Sequence, residues 1–459
     1  MQKRSTVKKQ KNSPAQKNDI QSIYKDSMNK AKTELNKGNN LMDYFLVMGI
    51  EPSFCEHDDL YELTAKELNS KYNEELTPKI ITKYPPFNKT YVNIDDGILN
   101  HCFHNKFEIK EYKSSPPQPE IFTFILDNYL FSIDHPQKYV TCFVFYENLS
   151  QYKELYDTIK RSNDFGEVVD TFNAKNTKEI IYKENDITIK KKRQNSFCYK
   201  NSNQYKNYYI PKALCLISVY PFFSIQAKVL NAIYEYSFKK DIAIPIEKIV
   251  QNLMIEVPVP PRGRYDVEFD ILDDKMRIAQ SEMNKLPNNE GQIKVIFDLF
   301  NEIEIVEIFK HLLYETKMII FSTDIKLLTP FIFGLLSIMY PFKYSFQVVS
   351  CIPNDSYHII ESISPYIIGI NQTYTEDFFK QAKVDIRDTS ILIIDLNTKK
   401  IELKQSEKFP ELPLLYKEKL LEKVEEALKV KPKNYKELFF QFNVNIMQNY
   451  SLYLNNDYL

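Results

Sequence analysis

Glycine is scarce in this chain and tryptophan is absent, with 8 of the first and none of the second in 459 residues. The glycines are scattered, and neither G-x-G-x-x-G nor G-x-x-x-x-G-K-[ST] occurs. No loop is therefore built to cradle a phosphate on its backbone, which argues against a nucleotide-binding domain. A charge excess is also lacking: 60 basic residues face 61 acidic ones, for a net charge of -1. That removes the electrostatic case for nucleic acid as a partner, since phosphate binders carry a clustered basic surplus. The longest apolar run, 331–342, falls short of the ~18 residues a membrane span requires. Lys3, Arg4, Lys8, Lys9 and Lys11 precede no apolar stretch, so they do not read as a secretory signal.

Cysteine is sparse and dispersed (Cys55, Cys102, Cys142, Cys198, Cys215, Cys351), with no C-x-x-C pair. The expectation is reduced thiols of a cytosolic protein, packed as small hydrophobes. His101-Cys-Phe-His104 is the one compact His/Cys group. Two ligands there would need two more, and no second pair presents itself in the sequence, so a core role is expected, with no metal and no cofactor. Ser218 and Ser322 end strand-like runs outside any G-x-S-x-G context and read as turn-capping serines. The pairs Asp58-Asp59, Asp95-Asp96 and Asp273-Asp274 read as turn or helix-start charges.

What is present is a large apolar fraction, 43% hydrophobic and 14% aromatic, in a chain too long for one core. Cores stop growing near ~250–300 residues, so two or three domains are expected. Residues 1–40 are polar and Lys/Asn/Gln-rich and are expected to be a disordered basic tail. From Leu41 the texture turns apolar: a strand over 41–50, a helix over 58–71, strands over 121–126 and 140–146, and a helix from Leu149. Residues 162–208, with Lys190-Lys-Lys-Arg193, are expected to be a polar linker. From Ile210 strands and helices alternate. Strands are expected at 213–219, 267–272, 318–321 and 391–396, and helices from Ser224, over 303–314 and from Thr329-Pro330 to Pro341. That rhythm argues for an α/β sheet. Two helices follow, 414–430 and 437–454, the second with Leu438, Phe439, Phe442, Ile446, Tyr450 and Tyr453 on one face.

Two sets of blocks carry a more specific message. The first comprises Leu41-Met-Asp-Tyr-Phe-Leu-Val-Met-Gly49, Pro78-Lys-Ile-Ile-Thr-Lys-Tyr-Pro85 and Tyr139-Val-Thr-Cys-Phe-Val-Phe-Tyr-Glu147. The second comprises Pro211-Lys-Ala-Leu-Cys-Leu-Ile-Ser218, Val257-Pro-Val-Pro-Pro261, Leu312-Leu-Tyr-Glu315 with Ile319-Ile-Phe-Ser322, and Ser364-Pro-Tyr-Ile-Ile-Gly369. In order and spacing they resemble the DENN family of exchange factors for Rab-type GTPases. The resemblance implies an α/β plus α+β chain: a longin-like upstream DENN module (uDENN) over 41–161 and a central α/β DENN module (cDENN) over 209–396. Only the beginning of a downstream helical module is expected over 397–459, from Asn434-Tyr-Lys-Glu-Leu-Phe-Phe-Gln-Phe442 through Tyr450-Ser-Leu-Tyr-Leu454.

The resemblance further implies guanine-nucleotide exchange on a Rab in vesicle trafficking. It implies a cytoplasmic protein that associates peripherally with endomembranes through the GTPase. A non-catalytic scaffold or adaptor is the alternative. A GTPase-activating role is disfavoured, because no arginine lies between Arg4 and Arg161 to serve as a finger from the upstream module. Strand carboxyl ends gather the working surface of open α/β sheets, which points to Ser322, Thr323, Asp324 and Tyr366 as partner-binding residues. Arg262 and Arg264, flanking Gly263, either join them or pair with Asp266 or Glu268. The aromatic face of 437–454 is expected either to fold back on the α/β lobe or to form a dimer or partner interface.

Overall fold

The computed structural model describes residues 40–150 and 207–448. Excepted within that span are 58–59, 61, 87–93, 95–96, 105–106, 113–115, 127–137, 238–243, 264, 272–273, 281–289, 387–389, 405–408 and 431–434. The expected tail over 1–40 and linker over 162–208 lie almost wholly outside the described residues, and Arg264 lies outside them too.

The chain opens on β1 (Tyr44–Gly49), a 3-10 turn (Pro52–Glu56), α1 (Ala65–Lys71), β2 (Lys79–Tyr84), α2 (Gly97–Cys102), β3 (Lys110–Glu111), β4 (Glu120–Leu126) and β5 (Lys138–Asn148). After residue 206 come β6 (Tyr208–Ser218), α3 (Phe223–Ser237), α4 (Ile246–Ile255) and the hairpin β7 (Asp266–Ile271) with β8 (Asp274–Ala279). There follow α5 (Glu290–Leu299), α6 (Glu302–Leu313), β9 (Lys317–Phe321), α7 (Ile325–Ile338), β10 (Gln347–Val349), a 3-10 helix (Asn354–Glu361) and β11 (Tyr366–Ile370). The last elements are α8 (Phe378–Gln381), β12 (Ile391–Asp395), β13 (Lys400–Lys404), α9 (Leu414–Val430) and α10 (Tyr435–Met447).

The first sheet is antiparallel along β2-β1-β6-β5-β4, with short β3 also on β6. Its central strand is β6, the strand that opens the segment expected to be the central module: β6 pairs with β1 from Tyr44↔Ile217 to Met48↔Ala213 and with β5 from Tyr139↔Ser218 to Asn148↔Tyr209, so it lies in the first sheet rather than in the α/β one. The physical reason is burial on both faces. Ala213, Cys215 and Ile217 point into one core, and Leu214 and Leu216 into another against α3, α4 and β8. A strand apolar on both faces fits only the middle of a covered sheet. The segment 267–272, expected within the α/β alternation, is instead one arm of the separate β7–β8 hairpin.

The second sheet runs β10-β11-β9-β12-β13, parallel except for β13. Its inner strands are buried throughout, as parallel strands covered on both faces must be. Met318, Ile320, Ile367, Leu392 and Ile394 face the helical layer of α5, α6, α7, α9 and α10. Ile319, Phe321, Ile368 and Ile393 face the 3-10 helix and α8. The two sheets share one core, since Phe122, Phe124 and Val140 of the first join the cluster holding α7.

Helix starts follow the capping chemistry. A Thr64/Glu67 capping box begins α1, later than the expected start at 58, and an Asn301/Glu304 box begins α6. The expected start of the next helix at Thr329-Pro330 is corrected to Ile325. Asp324 is its cap, accepting from the Lys326 N–H at 3.0 Å, and Pro330 lies inside α7. Ser224 lies within the first turn of α3 rather than at its cap. The helix expected from Leu149 has only its first two residues among those described.

The C-terminal helix folds back on the chain. Tyr435, Phe439 and Phe442 are buried, with Tyr435 stacking near Phe297 (4.3 Å) and Phe439 and Phe442 near Phe309 (4.8 and 5.5 Å). The buried Asn443 donates through Nδ2 to the carbonyls of Ile338, Met339 and Tyr340 at 3.1–3.2 Å, satisfying the end of α7. Ile446, expected on the buried face, is exposed, and Tyr450 and Tyr453 lie outside the described residues. Among the described residues no helix is long and apolar enough to cross a membrane.

Candidate functional site at the strand ends

Parallel strands end together, so the carboxyl ends of β10, β11, β9 and β12 bring Ser350, Asn371, Ser322 and Asn397 to one edge of the second sheet. The chain leaves β9 toward β10 on one side and leaves β12 toward β13 on the other. The gap between β9 and β12 is thus the topological switch point, where open α/β sheets place their ligands.

Here the edge is tied off by side chains. The Thr323 N–H and Oγ1 both donate to Asn397 Oδ1, at 2.9 and 2.7 Å. Asn397 in turn donates through its backbone N–H and Nδ2 to buried Asp395 Oδ1, at 2.9 and 3.0 Å. Thr398 Oγ1 donates to Asp395 Oδ2 at 2.9 Å. Ser322 is buried, donating from Oγ to the Asp324 carbonyl and accepting from the Asp324 N–H, at 2.9 and 3.1 Å. This is the turn-capping role expected of it, and Ser218 does the same for the Tyr220 N–H at 3.0 Å.

The second sheet and its helix α7 grip the N-terminal part of the chain at three points. The Ile125 N–H donates to Ser350 Oγ at 2.9 Å, which caps the otherwise unpaired side of β4. Thr329 Oγ1 on α7 donates to the Thr123 carbonyl. Asn371, with its amide oriented to satisfy both ends, donates to the carbonyls of Ser322 (3.0 Å) and Thr323 (3.2 Å) and accepts from His104 Nε2 (3.1 Å). His104 packs edge-on to Phe122 at 5.3 Å. Its burial lowers its pKa to about 4, so the imidazole is neutral at physiological pH with the proton on Nε2.

A folded-state pKa of about 4 against an unfolded value near 6.5 has a definite consequence. The stability His104 contributes is complete above pH 6.5 and is lost as pH falls from 6.5 toward 4. Stability should drop by about 2 kcal/mol between pH 8 and pH 5 from this group alone. His104→Gln should flatten that part of the pH profile in urea unfolding. An unchanged slope in the variant contradicts the assignment.

Of the six residues picked from sequence, Thr323, Asp324 and Arg262 are exposed. Tyr366 does not present itself to a partner. It is wholly buried, donates its hydroxyl to the Ile360 carbonyl at 2.9 Å, and burial pushes that hydroxyl above the usual tyrosine range. Position at the start of β11 rather than its end accounts for this. For Asp266 and Glu268, the acidic partners weighed for Arg262 and Arg264, the structure shows a cation on the neighbouring strand. Arg277 on β8 takes Asp266, donating from Nε at 2.6 Å, and approaches Glu268 at 3.9 Å. Glu268 is the cross-strand partner of Arg277 in the hairpin, and Asp266 precedes Glu268 by two residues on the same face.

Sequence reasoning missed Asn371, Asn397, Ser350 and His104 as the junction. Their only signal was position, one residue or two past an apolar run. It also missed a cluster of thiols. Cys102, the cysteine of His101-Cys-Phe-His104, meets Cys142 and Cys215 with all three Sγ atoms within 4.8 Å of one another. The complementary pair that the sequence did not reveal is supplied by the β5–β6 register, Cys142↔Cys215.

With this geometry the chain defines an α/β sheet locked to an antiparallel sheet along the strand-end edge. Residues 209–399 match the family model described as the DENN (AEX-3) domain, from the central strand of the first sheet through β12 of the second. Over that segment, under half of its length, the chain carries a match to the DENN domain. It is similar to the DENN domain and WD repeat-containing protein SCD1 of Arabidopsis thaliana, 21% identical over 45% of this chain and 17% of that protein. It also resembles a DENN domain-containing protein of Schizosaccharomyces pombe, 24% identical over 38% of this chain and 18% of that one. The Elicitor of plant defense protein 1 of Verticillium dahliae is 23% identical over 34% of this chain and 13% of its own length. The chain thus spans under a fifth of the length of these curated relatives.

Proposed function

We propose that the chain is a guanine-nucleotide exchange factor for a Rab-type small GTPase, acting in membrane trafficking at the cytoplasmic face of an endomembrane that it reaches through the GTPase. The observation that carries this reading is the DENN match over 209–399, which runs through both sheets across their locked edge. Exchange needs a rigid two-part platform that prefers the nucleotide-free GTPase over the nucleotide-bound one. On this reading the first sheet is the longin-like upstream module and the second the central module. The GTPase rests against both, with the exposed Thr323, Asp324 and Arg262 among its contacts.

The energetics suit a binding surface. Accelerating GDP release ~10³–10⁵-fold removes ~4–7 kcal/mol from the dissociation barrier. A contact patch near ~1,000 Å² is of the size that supplies this. Linkage makes the effect reciprocal, so nucleotide must weaken the exchange factor's grip by the same factor.

The test is release of labelled GDP from a panel of purified Rabs. Acceleration of at least one Rab, with a nucleotide-free complex isolated by gel filtration, is expected. Asp324→Asn keeps an N-cap side chain and should lower the rate through the lost charge while leaving the melting temperature in place. No acceleration with any Rab, and no nucleotide-free complex, would make the chain a DENN-type scaffold instead.

A further inference from the structure

Among the described residues, the buried thiol cluster is the one group of metal-ligating side chains that the exchange reading leaves unused. Cys142 and Cys215 are cross-strand partners on β5 and β6, and both side chains point to the face that α2 covers. Cys102, the last residue of α2, reaches down onto them, with its Sγ 3.4 Å from that of Cys215. All three are buried in the main core. The chain holds only six cysteines among 459 residues, and these three are brought together from widely separated positions.

The spacing is that of a metal site. With zinc–sulfur bonds of about 2.3 Å, three thiolates around one ion lie about 3.8–4.0 Å apart. The observed envelope of 4.8 Å and the one 3.4 Å approach bracket that spacing, so the separations would change by up to about 1 Å on binding. Soft thiolates select thiophilic ions, chiefly Zn²⁺ and Cu⁺. Charge then decides between them: three thiolates leave a net charge of -1 around Zn²⁺ and -2 around Cu⁺. The cost of burying charge grows steeply with its size, so an apolar core favours zinc.

We propose that Cys102, Cys142 and Cys215 form a structural trithiolate site for one Zn²⁺. The site has a structural use. Cys102 stands two residues before His104, so an ion held there fixes the segment that donates to Asn371 across the sheet junction.

The test uses the full chain, purified anaerobically with a non-thiol reductant. Elemental analysis should find about one zinc per chain, and a chelator should lower the melting temperature. Titrating the apoprotein with Cd²⁺ alone should give a thiolate-to-metal charge-transfer band that saturates at one equivalent, with the intensity of three sulfurs. Cys102→Ala, Cys142→Ala and Cys215→Ala should each lose the metal, and Cys55→Ala should keep it. If those variants fold poorly, a wild-type alkylation pulse in mild denaturant decides, since zinc should protect three thiols. Absence of retained zinc with no cadmium band, or copper retained in its place, overturns the proposal.

Discussion

Replacing Gly369 with alanine is expected to destabilise the fold by about 3 kcal/mol or more, at or beyond the top of the usual range for overpacking. A Cβ at this position would stand 2.1 Å from the Ser350 carbonyl oxygen and 2.9 Å from its carbon, and both are backbone atoms. Neither strand yields easily. Gly369 lies on buried β11 and accepts from the Ile352 N–H at 2.8 Å, and Ser350 holds the Ile125 N–H of the first sheet. The added methyl must therefore separate β11 from the residues following β10, or push Ser350 out of the junction. A large fall in the urea midpoint should be seen. Gly291→Ala is the control of opposite sign: it sits exposed in α5 with nothing near an added Cβ, so it should stabilise by about 0.5–1 kcal/mol. Equal effects at the two positions contradict the close approach at Gly369.

Phe439→Ala should cost about 3–5 kcal/mol, the usual cost of emptying a fully buried aromatic site. The Phe439 ring is wholly buried, 4.8 Å from Phe309 and 6.2 Å from Phe297, and bridges α10 to α5 and α6. It lies beyond the 209–399 family match, so its loss shows how far the DENN unit depends on the helix after it. Val444→Ala, on the exposed side of the same helix, should change stability by under about 0.5 kcal/mol. Thermal unfolding and sedimentation of the pair separate the two uses of this helix. A fall in melting temperature for Phe439→Ala at constant mass supports intramolecular docking. A change in oligomeric state with unchanged melting would place the aromatic face between chains.

The legibility of this chain varied with how local the determining physics was. The strands expected over 318–321 and 391–396 were readable because strands covered on both faces must be almost continuously apolar. The stripe Ile305, Ile308, Phe309 and Leu312 marked α6 to within a residue at each end, although the Asn301/Glu304 box that begins it went unread. Capping competition misled elsewhere: Thr64 and Asp324 outbid the earlier Asp58-Asp59 and the later Thr329-Pro330 as helix starts. At the site, the strand-end rule led to Ser322, Thr323 and Asp324 because the loop after β9 is set by local pattern. It failed at Tyr366, where the choice depended on which end of β11 faced the junction.

From its own pattern the sequence determined the main apolar strands and helices and their buried faces, which depend on residues a few positions apart, and the order of its blocks carried the likeness to the DENN family. Only the tertiary structure decided that β6 belongs to the first sheet, because strand pairing joins residues separated by a long polar stretch. The tertiary structure also gathered His104 with Asn371 and Cys102 with Cys142 and Cys215. Those meetings are matters of register and sheet packing, in which a side chain's neighbours are chosen by hydrogen-bonded partners far away in the chain, and no local spacing records them.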